Sequence, residues 1–153
     1  MMKVLQYFEV DNKEHWLGEI AKSNWDAAHY LHYLLKENKL DELVGEGARV
    51  LLLVDGDRLV SFCTLAKYDD VQPTDLTPWV GWVYTFPEYR GNRLSGLLIS
   101  HAEEVAKSEG AGAVHISTNH VGLYEKFGYG DYYVMAEVIG NIHENPELLG
   151  GEE

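Results

Sequence analysis

Two arginines and two glycines fall close together in an otherwise acidic chain: Arg90, Gly91, Arg93 and Gly96. They sit in Val83-Tyr84-Thr85-Phe86-Pro87-Glu88-Tyr89-Arg90-Gly91-Asn92-Arg93-Leu94-Ser95-Gly96-Leu97-Leu98. There a strand-like run stops at Pro87 and an amphipathic repeat starts at Leu94. The first amides of a helix have no acceptor inside it and carry the positive end of its dipole. A strand that turns into such a helix end can therefore bind phosphate. Gly91 and Gly96 let backbone approach a ligand, and Arg90 and Arg93 add positive charge. Many strand-to-helix turns also contain Gly and Arg, so anion binding and a plain turn both stay open on these residues. A P-loop is excluded, because no Gly-Lys-Ser or Gly-Lys-Thr occurs, and so is a Gly-x-Gly-x-x-Gly dinucleotide turn.

The same segment resembles the acetyl-CoA motif of the GCN5-related N-acetyltransferase (GNAT) family, Arg/Gln-x-x-Gly-x-Gly/Ala. Arg90 matches its first position and Leu94 its variable fifth. Arg93 stands where the family has glycine, and Ser95 where it has Gly or Ala. Arg93 carries a Cβ, so the loop is expected to work only with a negative φ at that residue. A second resemblance follows: Asn119-His120-Val121-Gly122-Leu123-Tyr124-Glu125-Lys126-Phe127-Gly128-Tyr129 is similar to the family's Leu-Tyr-Glu-Lys-x-Gly-Phe. Tyr124 comes 34 residues after Arg90, across one helix and one strand. The two signatures in this order are far more specific than either alone. The likeness covers residues 48–139 well, and the first 45 residues match only in the order of elements.

The resemblance implies an enzyme that moves an acetyl group from acetyl-CoA to a primary amine by direct attack. It implies that Arg90, Gly91, Asn92, Arg93, Leu94, Ser95 and Gly96 hold the coenzyme's pyrophosphate, with Asn119 nearby. It also implies that the strand before the turn splays from its parallel neighbour. Backbone of Val83, Tyr84 and Thr85 then pairs with the pantetheine arm, as in strand addition. Backbone near Val83 or Tyr84 polarises the acetyl carbonyl like an oxyanion hole. Tyr124 becomes the general acid: a phenol of pKa about 10 can protonate a leaving thiolate whose thiol titrates near ~8.5. The alternative for Tyr124 is packing on the sheet.

An alkylamine is protonated in all but about one molecule in ~2,500 at pH 7, so a proton must leave before attack. Family members often use a glutamate on the strand before the turn, yet Trp79 to Phe86 holds no acid. Asp69 and Asp70 are the substitutes, directly or through water; as a solvated loop pair they would do nothing. His115 and His120 flank the expected cleft and are equally read as surface or packed histidines. His29 and His32 are three apart on a predicted helix, but no third ligand stands out, so no metal is expected. Trp16, Trp25, Tyr30 and Tyr33 crowd the region of the family's acceptor pocket. Their ring faces attract cations, although core packing suits most of them.

Those residues need a scaffold. Lys3–Val10 reads as a strand and Lys13–Lys22 as a short helix. Ser23-Asn24-Trp25-Asp26 reads as a capped start for a helix burying Ala27, Leu31, Leu34 and Leu35 and ending near Asn38. A turn through Leu40, Leu43 and Val44 follows. Arg49–Val54 and Leu59–Lys67 form a hairpin around Asp55-Gly56-Asp57. Asp69–Pro78 is a loop. Trp79–Phe86 is a strand, and a long helix puts Leu94, Leu97, Leu98, Ala102, Val105 and Ala106 inward before Gly110 ends it. Ala113–Ser117 is a strand, Val121–Phe127 a helical turn and Tyr132–Ile139 the last strand. This order predicts an α/β (α+β) fold, and the resemblance implies a GNAT-like mixed, centrally splayed sheet flanked by helices. The expected domain covers 1–143, followed by an acidic tail over 144–153.

The chain has 153 residues, 46% apolar and 24% charged, enough for one folded domain. Lys and Arg total 12 against 25 Asp and Glu, a net charge of −13. That argues against nucleic-acid binding and suits either solubility or a basic amine partner. The longest apolar run is too short to span a membrane, and charge comes too early for a signal peptide. Cys63 is the one cysteine, so no disulfide forms within the chain. A cytoplasmic protein is expected. Oligomeric state stays open, a homodimer included. A non-catalytic acyl-CoA-binding or regulatory module, or an acidic protein-interaction domain, are the competing readings.

Overall fold

A computed structural model of the chain describes residues 2–68 and 77–116. The strands are β1 (Met2–Gln6), β2 (Arg49–Asp55), β3 (Arg58–Ala66), β4 (Trp79–Thr85) and β5 (His115–Ile116). The helices are α1 (Lys13–Ala21), α2 (Asp26–Lys36), α3 (Leu40–Val44) and α4 (Leu94–Ser108). The five strands form one mixed sheet in sequence order. The first four run antiparallel, and β4 pairs in parallel with β5. That last pair is joined through α4, the helical crossover a parallel pair requires.

Helices cover both faces, which explains why β2 and β3 are apolar almost without interruption. On β2, Leu51 and Leu53 face α4, whereas Val50, Leu52 and Val54 face the N-terminal helices. Leu98, Ile99, Ala102 and Ala106 of α4 fill the first layer. Trp16, Ile20, Leu31, Leu34 and Leu35 fill the second. Each fully buried Leu or Ile contributes about 1.5–3 kcal/mol, so the two layers dominate the fold. Side chains tie α1 to the sheet: His15 Nε2 lies 2.7 Å from the Asp57 carbonyl, and Glu19 accepts the Leu59 amide at 3.0 Å.

Several expectations change in detail. The first strand ends at Gln6, and Tyr7–Glu9 form a 3-10 turn that buries Tyr7. Ser23 does not cap α2. Its amide instead bonds Ile20, so it closes α1, and Trp25 takes the cap position without a side-chain bond. The buried stripe of α2 uses Ala28, with Ala27 half-buried. Leu97 is 50% exposed, outside the apolar face predicted for it. Gly110 adopts φ +92° just past α4, as its predicted terminator role requires. The elements expected over 121–127 and 132–139, and the acidic tail, lie outside the described residues.

Glu103 is an unexpected core residue, 1% exposed within α4. Burial first, and the neighbouring Glu104 second, push its carboxyl up to about 8. The folded state therefore holds a proton that the unfolded chain releases near 4.5, the ordinary value for a glutamate. The linked stability is fully present below that lower value and is lost as pH rises through the folded value. Urea midpoints are thus expected to fall between pH 5 and pH 8.5, and Glu103→Gln should flatten that decline. An equal decline in the variant would show that another group is responsible.

Candidate functional site

β4 does not run smoothly. Its register with β3 jumps from Thr64↔Gly81 to Phe62↔Tyr84, so Trp82 and Val83 both oppose Cys63. This is a β-bulge. Trp82 takes φ +48°, a left-handed conformation that is a true outlier for a bulky residue. Its indole Nε1 donates to the Ala27 carbonyl at 2.6 Å, bracing β4 against α2. The bulge turns Val83 toward α4 and Tyr84 toward the N-terminal helices. Ser61 Oγ donates to the Tyr84 carbonyl at 2.7 Å and lies 3.0 Å from the Thr85 hydroxyl, fixing the end of the strand. Among the described residues β4 pairs with β5 only through Trp79↔His115 and Val80↔Ile116.

Beyond Thr85, Pro87–Tyr89 make one 3-10 turn, closed by Tyr89 to Phe86 at 2.9 Å and Arg90 to Pro87 at 3.2 Å. Gly91 then takes φ +86°, and Arg93 becomes the cap residue of α4 at φ +63°, ψ +24°. The expected negative φ at Arg93 is therefore incorrect. The chain must reverse sharply here to enter α4, and the left-handed geometry a glycine would adopt freely is imposed on arginine. Arg93 makes no side-chain cap bond, so it does not itself cover the first amides of α4. Leu97 is the first amide bonded back to the cap carbonyl, at 3.3 Å.

The polar side chains of the turn fold inward. Arg90 Nε donates to the Thr85 carbonyl at 2.8 Å, and its guanidinium lies 5.3 Å from the Tyr84 ring centre. Asn92 Nδ2 donates to the Tyr89 carbonyl at 2.9 Å and sits 3.3 Å from that of Arg90. Tyr84 also stacks on Trp25, with ring centres 5.6 Å apart and planes within 11°. Its hydroxyl is 3.4 Å from the Asn24 amide. One tyrosine thus joins the turn to the α1–α2 connection.

The structure brings together Val83, Tyr84, Thr85 and the run Arg90–Gly96. Asp69, Asp70, Asn119, His120 and Tyr124 lie outside the described residues. His115 is buried, with Nδ1 3.2 Å from the Pro78 carbonyl and its ring against Trp79. Trp16 is core, its indole bonded to Asn12 at 3.2 Å. His29 Nε2 lies 2.8 Å from the Ser23 carbonyl. Burial pushes the Cys63 thiol up to about 12, which removes it as a nucleophile at neutral pH. Sequence reasoning missed Trp82. Gly81, a glycine inside a strand, was the available sign of a bulge.

Comparison with known proteins agrees with this arrangement. The model of the acetyltransferase (GNAT) family matches residues 6–129. A search of curated protein sequences finds no match. Among solved structures, a GNAT family acetyltransferase from Brucella melitensis in complex with acetyl-CoA has 16% identity and TM-score 0.62, over 90% of this chain and 88% of that one. The aminoglycoside 6'-N-acetyltransferase AAC(6')-IG from Acinetobacter haemolyticus has 17% identity and TM-score 0.57, over 85% and 92%. AAC(6')-Iy, in complex with the bisubstrate analog CoA-S-monomethyl-acetylneamine, has 15% identity and TM-score 0.55, over 100% and 92%. At such identities the structural likeness speaks to fold.

The strain at Arg93 has a measurable consequence. A left-handed non-glycine residue costs about 1–2 kcal/mol, and glycine returns part of that as unfolded-state entropy. Arg93→Gly is therefore expected to raise stability by about 0.5–1 kcal/mol in urea titration. A clear loss of stability would show that the arginine side chain outweighs its backbone strain.

Proposed function

This chain belongs to the acetyltransferase (GNAT) family, and from that premise we propose that it transfers an acetyl group from acetyl-CoA to a primary amine, with Tyr124 as general acid. The observation that carries the reading is the turn into α4, where left-handed Gly91 and Arg93 bring a basic segment to the helix N-terminus. Arg93 makes no side-chain cap bond there, and Arg90 and Asn92 turn their side chains back into the loop. Among the described residues, no heavy atom beyond the two chain neighbours lies within 4 Å of where a Gly91 Cβ would stand. A helix N-terminus entered through a turn that carries two arginines fits a pyrophosphate.

In this reading the amides from Gly91 to Gly96 grip the pyrophosphate of acetyl-CoA, and Asn119 contributes further along. Arg93, exposed at the turn, adds its charge. Arg90 joins them beside the pyrophosphate, and its Nε bond also holds Thr85 and Tyr84 in place. Backbone of Val83, Tyr84 and Thr85 lines the pantetheine arm. The bulge displaces Trp82 and Val83 from regular pairing, which suits an amide aimed at the acetyl carbonyl.

The coenzyme supplies the acetyl group as a thioester. A neutral amine nitrogen bonds to the carbonyl carbon, the carbon–sulfur bond breaks, and the thiolate takes the Tyr124 phenolic proton. β4 carries no carboxylate, so we assign removal of the amine's proton to Asp69 or Asp70, directly or through water. A basic acceptor is consistent with the net charge of −13. Two of the similar structures contain acetyl-CoA or a coenzyme–aminoglycoside analog, which supports a coenzyme-bound donor and an amine acceptor. Action in the cytoplasm by a single domain over residues 1–143 completes the proposal.

Two variants test it. Tyr124→Phe should lower turnover about 10²–10⁴-fold while acetyl-CoA still raises the melting temperature; undiminished turnover would remove Tyr124 from the mechanism. Gly91→Pro forces φ near −65° where the turn needs +86°. It should abolish the melting-temperature rise with acetyl-CoA while circular dichroism stays native. An unchanged rise in that variant would place the coenzyme elsewhere.

A further inference from the structure

The outer face of α2 carries Asp26, Tyr30 and Tyr33, and the C-cap residue Glu37 continues the same stripe. All four are exposed, whereas Ala28, Leu31, Leu34 and Leu35 on the other side are buried. Tyr30 and Tyr33 are 48% and 45% exposed, so neither serves chiefly as core. Their rings lie within 11° of parallel, with centres 6.3 Å apart.

At the Tyr33 end the protein supplies its own cation. The Lys39 ammonium lies 5.6 Å from the Tyr33 ring centre and 3.3 Å from its hydroxyl. That hydroxyl first, and then the charges of Glu42 and Glu37, favour the protonated lysine. The Tyr30 end repeats the same ingredients. Tyr30 meets Trp82 with ring centres 6.5 Å apart and planes inclined by 40°. Asp26 stands one helical turn before Tyr30. Trp82 is held in place by its bond to the Ala27 carbonyl. Among the described residues, no lysine or arginine lies over the Tyr30 or Trp82 ring.

We infer that Tyr30, Trp82 and Asp26 form an ammonium subsite, which takes the second positive centre of a di- or polycationic amine while its first amine is acetylated. The inference rests on the proposed acetyl transfer and specifies its acceptor class. Trp82 supplies the link, because its ring faces Tyr30 and its backbone forms the bulge beside Val83. A flexible diamine can therefore reach from the ring face to the reacting carbonyl. Ring faces and a nearby carboxylate attract a cation without requiring one fixed hydrogen-bond geometry. They also distinguish a diamine from a monoamine of equal length, which presents only a methyl group at this end.

The test compares 1,5-diaminopentane with hexylamine, its isostere with a methyl in place of one amine, as acceptors for acetyl-CoA. The diamine is expected to have roughly tenfold higher kcat/KM, mainly through KM, in keeping with a cation–π contact near a carboxylate. Tyr30→Leu and Asp26→Asn should each shrink that preference several-fold, while Tyr30→Phe, which keeps the ring, should retain most of it. Equal kcat/KM for the two amines in the wild type would overturn the subsite. So would a preference that Tyr30→Leu leaves intact. A second readout needs no turnover: titrating 1,5-diaminopentane should quench tryptophan fluorescence saturably in the wild type and not in Tyr30→Leu. The absence of saturation in the wild type would also overturn it. Melting temperature with acetyl-CoA separates the two claims. Coenzyme stabilisation without a diamine preference removes the subsite alone; saturable diamine binding without coenzyme stabilisation removes the acetyl-transfer reading and leaves an amine site.

Discussion

The β-bulge at Trp82–Val83 is the constraint on which the candidate site depends. It places two residues of β4 against Cys63 alone. A tryptophan held at φ +48° costs on the order of 1–3 kcal/mol. Tertiary contacts offset that cost. The indole bonds the Ala27 carbonyl at 2.6 Å, and its ring packs on Tyr30. Without the extra residue, Val83 and Tyr84 would exchange faces. Val83 would then leave the layer against α4, and Tyr84 would lose both Trp25 and Phe62.

Tyr84 transmits this constraint along the chain. Trp25 stacks on it, Arg90 places a guanidinium near it, and its carbonyl accepts from the buried Ser61 hydroxyl. The turn that meets the phosphate in our reading and the α1–α2 connection that borders the acceptor are therefore fastened to one ring. This explains why Arg90 faces inward at the mouth of a helix. Its charge still contributes to the local field, while its geometry serves the fold. Arg93 has the reverse character: its side chain makes no cap bond, and its backbone is strained.

Much of the scaffold was legible because its signals are local and repeated. The β2–β3 hairpin followed from two apolar runs around Gly56, which indeed takes φ +65°. The stripe of α4 followed from its helical repeat, and the mixed sheet from the order of elements. The misreadings have local causes too. Ser23 carries a good capping side chain, but its amide was already engaged at the end of α1. Leu97 continues the apolar spacing of α4 but lies one residue round from the packed face, next to the exposed turn. At the bulge, Gly81 was the only hint, and it does not reveal which neighbour takes the unusual conformation.

From residue types and spacing alone came the strand–turn–helix junction, its cluster of Arg and Gly, and its order relative to Tyr124. Those features depend on neighbours a few positions apart, where helix periodicity, proline and glycine act directly. Tertiary structure decided the direction of Arg90, the left-handed backbone of Arg93 and Trp82, and the pairing of Tyr30 with Trp82. Each is a balance in which a local preference of about 1 kcal/mol loses to contacts between residues distant in sequence. Trp82 and Ala27, 55 positions apart, make the clearest case: their hydrogen bond exists only after α2 has packed on the sheet.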